Sequence, residues 1–302
     1  MGFSIFSGNG NIPLSNEIAR QLGVELSKVE IIRFADTECR VRILEDVSDK
    51  DVFIIQSLSQ PVDENLMELL LLGDAVKRGE ARKIIAVLPY HGYARQDRVH
   101  REGECLSAQV VAKLIKSVGF DKLITVELHS ETSLGFFEVP VVHLSGLSIF
   151  QSELMEMKDE LVVISPDSGA AKRAQKFAED LDVPLAFIEK KRDLNQAHKI
   201  LSMKVVGDVK GKIAAVVDDV IVTGGTLVNA AYLLKEKGAK EVMAVATHAD
   251  FVGGADKILN DSPFERIWVS DTIPVSDNMQ FKKLRIFPIA TTIASAMKKM
   301  IK

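Results

Sequence analysis

The segment from Val216 to Thr226 reads VVDDVIVTGGT. An apolar run hands on two adjacent carboxylates, Asp218 and Asp219, and then a turn made of Thr223, Gly224, Gly225 and Thr226. The glycines let backbone amides approach a ligand closely, and the threonines add hydroxyl donors where a helical pattern begins. The first amides of a helix lack internal partners and its dipole favours negative charge, so a phosphate is the natural occupant of such a turn. Carboxylates at the end of a strand accept hydrogen bonds from sugar hydroxyls. The segment therefore suits a phosphorylated sugar. A Gly/Thr-rich turn with a capping threonine would also spell TGGT, but the order strand, DD, TGGT, helix favours a ligand.

Other polar constellations recur along the chain. Arg95, Gln96 and Asp97 close the loop PYHGYARQDR, where a guanidinium offers a planar charged fork for phosphate or a ring face. His129 ends VELHS, Asp167 lies in SPDSGAAKRA, Lys190 and Arg192 sit in EKKR, and Phe34, Asp36 and Glu38 sit in FADTE. Each has a plainer reading alone. A lone His at a strand end is usually structural, a KKR cluster is usually solvated, and a single Phe is usually core.

Together these segments, with FSGNGN near the start and NLMELLLLGDAVKR (Asn65–Arg78), resemble those of the ribose-phosphate diphosphokinase family, in the same order and over essentially the whole chain. The ribose-phosphate loop alone is shared with type I phosphoribosyltransferases. The resemblance implies transfer of the β,γ-diphosphoryl group of ATP to O1 of ribose 5-phosphate. It implies that Arg95, Gln96, Asp97 and His129 hold ATP, with Phe34, Asp36 and Glu38 reaching the adenine from a neighbouring subunit. Asp167, Asp218, Asp219, Thr223, Gly224, Gly225 and Thr226 are the matching ribose 5-phosphate residues. Mg²⁺ is the implied cofactor, at His129 and Asp167; because Mg²⁺ prefers oxygen ligands and keeps its waters, the His contact is expected to run partly through water. Lys190 and Arg192 match mobile-loop cations that stabilise the transition state. A regulatory paralogue without turnover and a phosphoribosyltransferase are the competing readings; the matched Lys190, Arg192, Arg95, His129 and Asp167 count against the first, and the RQD loop against the second.

The chain departs from the family pattern in places. Val222 replaces an Asp of the ribose-phosphate loop, and Glu127 stands where Asp is common before LH. Positions that carry Gln, Asp and Asn at the allosteric anion site of phosphate-activated hexameric members fall at Leu134, Val142 and His143. An apolar Leu and Val cannot make those polar contacts. Phosphate activation and ADP inhibition of the hexamer type are therefore expected to be weak or absent, in a homo-oligomer built from dimers.

Such residues need a scaffold that puts strand ends beside helix starts. Short β-branched apolar runs at Val52–Gln56, Ile84–Leu88, Leu123–Leu128, Leu161–Ser165, Pro184–Ile188, Ile213–Val217 and Glu241–Thr247 predict strands. Helical patterns cover Leu14–Leu22, Asn65–Arg78, Ser107–Val118, Gly169–Asp180 and Thr226–Lys237. This alternation gives an α/β fold, and the resemblance specifies two similar type I phosphoribosyltransferase-like domains, each a mainly parallel sheet flanked by helices. The chain also repeats itself: Ser107–His129 lies over Thr226–His248, matching Leu114 with Leu233, Gly119 with Gly238 and His129 with His248. The expected domains are 1–145, joined by a C-terminal helix at 289–302 and facing ATP, and 146–288, facing ribose 5-phosphate. The seam is placed near His143–Phe150.

With 302 residues, 47% hydrophobic and 26% charged, the chain has ample apolar surface for about two cores. A net charge of −4 argues against broad nucleic-acid binding. Cys39 and Cys105, with no CxxC pair, suggest neither a disulfide framework nor a structural zinc site. The N-terminal residues lack a signal-peptide pattern, Phe6 breaks the myristoylation motif, and no apolar run is long enough for a membrane helix, so a cytoplasmic location is expected.

Overall fold

The computed structural model describes the backbone of residues 2–192 and 200–301, with side chains outside 190–202. The chain forms two compact units, one of Met1–Gly146 with Thr272–Pro274 and Pro288–Lys302, the other of Leu147–Asp271 with Val275–Phe287.

The first unit runs β1 (Phe3–Ser7), α1 (Ile12–Gln21), β2 (Val29–Arg33), β3 (Cys39–Ile43), β4 (Asp51–Ile55), α2 (Val62–Arg78), β5 (Lys83–Leu88), α3 (Ser107–Val118), β6 (Lys122–Val126) and β7 (Val141–Leu144). Five of these strands form a sheet in the order β1-β4-β5-β6-β7, and every neighbouring pair is parallel. Strand β4, DVFII, is buried along its whole length, as a central parallel strand must be when helices cover both faces. The strands β2 and β3 form a separate antiparallel hairpin.

In the second unit come α4 (Gln151–Met155), β8 (Leu161–Ser165), α5 (Ala171–Leu181), β9 (Leu185–Arg192), β10 (Ile200–Val206), β11 (Ile213–Ile221), α6 (Gly225–Glu236), β12 (Glu241–Ala249), α7 (Ala255–Asn260), β13 (Arg266–Ser270) and β14 (Leu284–Phe287). Its seven-stranded sheet has the order β10-β9-β8-β11-β12-β13-β14, with only the β9–β10 pair antiparallel among the described residues. The chain then returns to the first unit through α8 (Ala290–Lys298), which packs against α1 and β7.

The matched segments of the internal repeat have one local structure, helix to strand, in α3–β6 and α6–β12. Their shared glycine has a physical cause. Gly119 and Gly238 both take left-handed φ, +109° and +86°, just past a helix, where a side chain would be strained.

FSGNGN turns out to be a knot inside the first unit. The buried Glu68 carboxylate of α2 accepts bonds from Asn9 N (2.5 Å), Asn9 Nδ2 (2.8 Å) and Gln56 Nε2 (2.9 Å), and Gln56 Oε1 accepts from Gly10 N (2.8 Å). A Cβ at Gly10 would stand 2.2 Å from the Ser57 carbonyl oxygen, so only glycine fits. The Thr272 carbonyl is tied into the same region by Ser57 Oγ at 2.7 Å and Asn11 Nδ2 at 3.3 Å.

Two strands outrun their apolar patterns. β9 continues from the expected Ile188 to Arg192, because β10 pairs with it antiparallel, Arg192 opposite Ile200. Lys190 and Arg192 were expected in a loop after the strand; their backbone belongs to the strand itself, and their side chains lie outside the described residues. β11 likewise runs past Val217 to Ile221, with Asp218 and Asp219 inside it.

Candidate active site

The extension of β11 explains why a carboxylate pair can sit in a sheet. Pairing with β8 stops at Val216, opposite Ile164, whereas pairing with β12 continues through Val220 and Ile221. From Asp218 onward one edge of β11 has no strand beside it in this sheet, and the β8–α5 loop begins there. Open parallel sheets leave their ligand crevices at such carboxyl ends.

Asp219 is 3% exposed, and Arg173 of α5 is the cation beside the pair. Arg173 Nη1 stands 3.3 Å from Asp219 Oδ1 and 3.5 Å from Asp218 Oδ1. The Asp219 amide donates to Asp218 Oδ1 at 2.9 Å. Burial, and after it the charge of Asp219, push the Asp218 carboxyl well above the usual carboxylate range, while Arg173 pulls the other way.

After Ile221 the chain turns into α6. Gly224 adopts φ +75°, and no side chain caps the helix. Bonds from Asp250 N to the Ile221 carbonyl (2.9 Å) and from Val252 N to the Val222 carbonyl (3.0 Å) anchor the turn from behind. A Cβ on Gly224 would meet Leu259 at 3.0 Å, whereas a Cβ on Gly225 would meet nothing within 4 Å. Thr223 and Thr226 are exposed on the open side. Uncapped amides, open space and hydroxyls together make an anion cradle. Val222 is compatible with it, since the cradle is built of amides and hydroxyls.

Asp167 lies in the β8–α5 loop, where its Oδ1 accepts from Gly169 N (3.0 Å) and Ala170 N (3.2 Å). One carboxylate oxygen is thus occupied in shaping the loop. Arg173 is the site residue that sequence reasoning missed. It stands within SPDSGAAKRA, but a Lys-Arg pair on an amphipathic helix reads as a solvated face, and only the helix phase turns Arg173 inward.

In the first unit the β5–α3 loop carries Arg95, Gln96 and Asp97. Gln96 is held at the start of α3: Ser107 Oγ donates to its Oε1 at 2.5 Å, and its carbonyl accepts from Ala108 N at 3.2 Å. Arg95 is exposed and, with Gln96, Tyr90, Tyr93, Asp63 and Glu64, lines a hollow of about 420 Å³. The buried Asp97 is bonded through both oxygens to Arg98, at 2.9 and 3.1 Å. That guanidinium holds its carboxyl below the usual range, and His129 contributes in the same direction.

Phe34, Asp36 and Glu38 occupy the tip of the β2–β3 hairpin. Among the described residues the bonds of this tip stay within the hairpin: Phe34 N to the Glu38 carbonyl (2.8 Å), Glu38 N to Asp36 Oδ1 (3.1 Å), and the Arg40 guanidinium 5.7 Å from the Phe34 ring centroid. Phe34 is 44% exposed. An ion pair of Arg33, the last residue of β2 before the tip, with Glu64 at 3.1 Å ties this end of the hairpin to the rim of the hollow.

Among the described residues no group of three or more His, Cys, Asp or Glu side chains is placed to hold a metal, and no helix is long and apolar enough to cross a membrane. His129 and Asp97 in the first unit, and Asp167 in the second, each by itself give one or two donors. That pattern fits Mg²⁺, which is held by one or two carboxylates plus waters and substrate phosphates.

Residues 3–119 match the model of the N-terminal domain of ribose phosphate pyrophosphokinase, and residues 193–302 that of the phosphoribosyl synthetase-associated domain. A ribose-phosphate pyrophosphokinase of Caldanaerobacter subterraneus subsp. tengcongensis is 44% identical over 97% of this chain and 93% of its own. Ribose-phosphate pyrophosphokinase 2 of Enterococcus faecalis is 42% identical over 98% and 92%. The crystal structure of phosphoribosylpyrophosphate synthetase from Mycobacterium smegmatis superposes with a TM-score of 0.94 at 38% identity, covering 99% of both chains.

Proposed function

The chain belongs to the ribose-phosphate pyrophosphokinase family, and we infer from that premise how its own residues divide the work. It is an enzyme that transfers the β,γ-diphosphoryl group of ATP to O1 of ribose 5-phosphate, releasing AMP and phosphoribosyl diphosphate. The observation that carries the assignment of its acceptor site is the β11–α6 crossing, where Asp218 and Asp219 lie seven and six residues before the first residue of an uncapped helix, Gly225.

On this reading the cradle of Thr223, Gly224, Gly225 and Thr226 binds the 5-phosphate, with amides that need no reorganisation when the anion arrives. Asp218 and Asp219 accept bonds from ribose hydroxyls, and Arg173 keeps the pair from expelling one another. The Asp167 loop borders the same strand edge. Arg95, Gln96, Asp97 and His129 hold ATP in the first unit, proposed as 1–145 with the helix at 289–302. The ribose side is 146–288.

Mg²⁺, when bound with the nucleotide, would neutralise phosphoryl charge; His129 and Asp167 are the residues proposed to hold it, His129 partly through water. Lys190 and Arg192 are proposed to supply positive charge to the moving phosphoryl oxygens. The exposed Phe34 ring, with Asp36 and Glu38, suits a partner subunit's adenine site, in a homo-oligomer built from dimers and located in the cytoplasm. Leu134, Val142 and His143 favour weak phosphate activation.

The test is direct. Incubated with Mg²⁺, ATP and ribose 5-phosphate, the protein should yield AMP and phosphoribosyl diphosphate in equal amounts. AMP at background level would sink the reading, and consumption of phosphoribosyl diphosphate with a nucleobase would replace it with a transferase.

A further inference from the structure

The segment leading to His129 is held in an unusual way. After Val126, the last residue of β6, Glu127 adopts φ +41°. For a residue with a side chain this left-handed conformation costs about 1–2 kcal/mol, and it persists only where the surroundings impose it. Three bonds do so here. Glu127 N donates to the Leu144 carbonyl of β7 at 2.9 Å, Gly146 N donates to Glu127 Oε2 at 2.9 Å, and Leu128 N donates to His143 Nε2 at 2.9 Å. Leu128 is buried, so its amide must find an acceptor inside the protein, and His143 is that acceptor.

We propose that Glu127 and His143 are positioning residues for His129: they clamp the turn after β6 from two sides and so fix where the imidazole stands. The inference rests on the nucleotide role proposed for His129. It also gives a reason for the longer acid at position 127. The glutamate spans the gap to Gly146, and an aspartate, shorter by one carbon–carbon bond of about 1.5 Å, would leave that amide without its acceptor. What the clamp needs from position 127 is length and an acceptor oxygen rather than charge.

Steady-state kinetics of the full chain with Mg²⁺, ATP and ribose 5-phosphate separate the possibilities, with a melting curve for each variant. Glu127→Asp keeps the charge and loses the reach, and its kcat should fall about tenfold, in line with a sub-ångström misplacement, while KM for ribose 5-phosphate stays within about twofold. Glu127→Gln keeps the length and an acceptor oxygen and should restore kcat to within about twofold of the parent. His143→Phe removes the second acceptor and should repeat the Glu127→Asp signature; it carries the test if Glu127→Asp does not melt cooperatively. A Glu127→Asp enzyme with parental kcat, or a Glu127→Gln enzyme as impaired as Glu127→Asp, would overturn the proposal. His129→Ala is run beside them: full activity there would remove the underlying assignment of His129, whereas a loss there with unaltered Glu127 and His143 variants would refute the clamp alone.

Discussion

Nη1 of Arg173 lies 3.3 Å from Oδ1 of Asp219, on side chains that are 11% and 4% exposed. A shielded ion pair of this kind is sensitive to the loss of one partner, since the other is then left charged and desolvated. Arg173→Ala should lower stability by about 2 kcal/mol, or Tm by about 4–8 °C. KM for ribose 5-phosphate should rise with it. Thermal unfolding and substrate titration check both, and Arg173→Lys should recover part of each.

Asp218→Asn should separate stability from turnover. The folded Asp218 carboxyl titrates well above its ordinary range, so the native state holds the proton more tightly than the unfolded chain. Stability is therefore lost as pH rises above the unfolded carboxylate value of about 3.9. The amide removes that loss, and its oxygen can still accept from Asp219 N. The variant should melt about 2–4 °C higher at pH 8, with the gain vanishing near pH 4, while kcat/KM falls by at least about a hundredfold.

The neighbouring glycines should respond differently to the same methyl group. Gly224→Ala places a side chain at φ +75° and 3.0 Å from Leu259, which should cost about 1–2 kcal/mol of stability. Gly225→Ala meets open space, so stability should hold or rise slightly. Its methyl group instead enters the space proposed for the phosphate, and KM for ribose 5-phosphate should increase. Denaturant unfolding set beside kinetics resolves the pair.

His91, buried in the β5–α3 loop, is a stability switch. Burial lowers its pKa to about 4; Nδ1 is hydrogen-bonded with the Gly92 carbonyl and Nε2 has no partner. Between pH 6.5 and 4 the unfolded chain binds the extra proton, so the stability of the neutral ring is complete above about pH 6.5 and lost as pH falls toward 4. The slope is at most about 1.4 kcal/mol per pH unit. In His91→Phe, unfolding free energies at pH 7 and pH 5 should differ by about 2 kcal/mol less than in the parent.

Inorganic phosphate should stimulate the reaction no more than about twofold, below the roughly fivefold or greater effects of ordinary allosteric coupling. The measurement is initial rate against phosphate at fixed free Mg²⁺, and strong activation would refute the assignment made from Leu134, Val142 and His143.

Much of this architecture is written in the apolar runs. Leu161–Ser165 and Ser107–Val118 are strand and helix to the residue, because a buried parallel strand is apolar throughout and an amphipathic helix repeats with its turn. Elements whose pairing depends on distant chain are less legible. β2, β3, β10 and β14 mix charged and apolar residues, and β1 and β7 interrupt theirs with serines and a histidine, so no continuous apolar run marks them. β11 extends through two aspartates because β12 supplies partners that its own sequence cannot announce. The candidate site divides along the same line. The TGGT turn is a local device and visible as such, whereas the Arg173–Asp219 ion pair and the Glu127–Gly146 bond exist only once separate elements meet.

The return of the chain to its first unit has a bearing on how the protein is made. α1 waits for α8, and the carbonyl that Ser57 and Asn11 bind belongs to Thr272, so the unit begun first during synthesis is completed last. The ribosome will have released every strand of the seven-stranded sheet before the five-stranded unit can close its final helix. A released chain that ends at Ile289 should then protect the second unit from protease while leaving the first open to it.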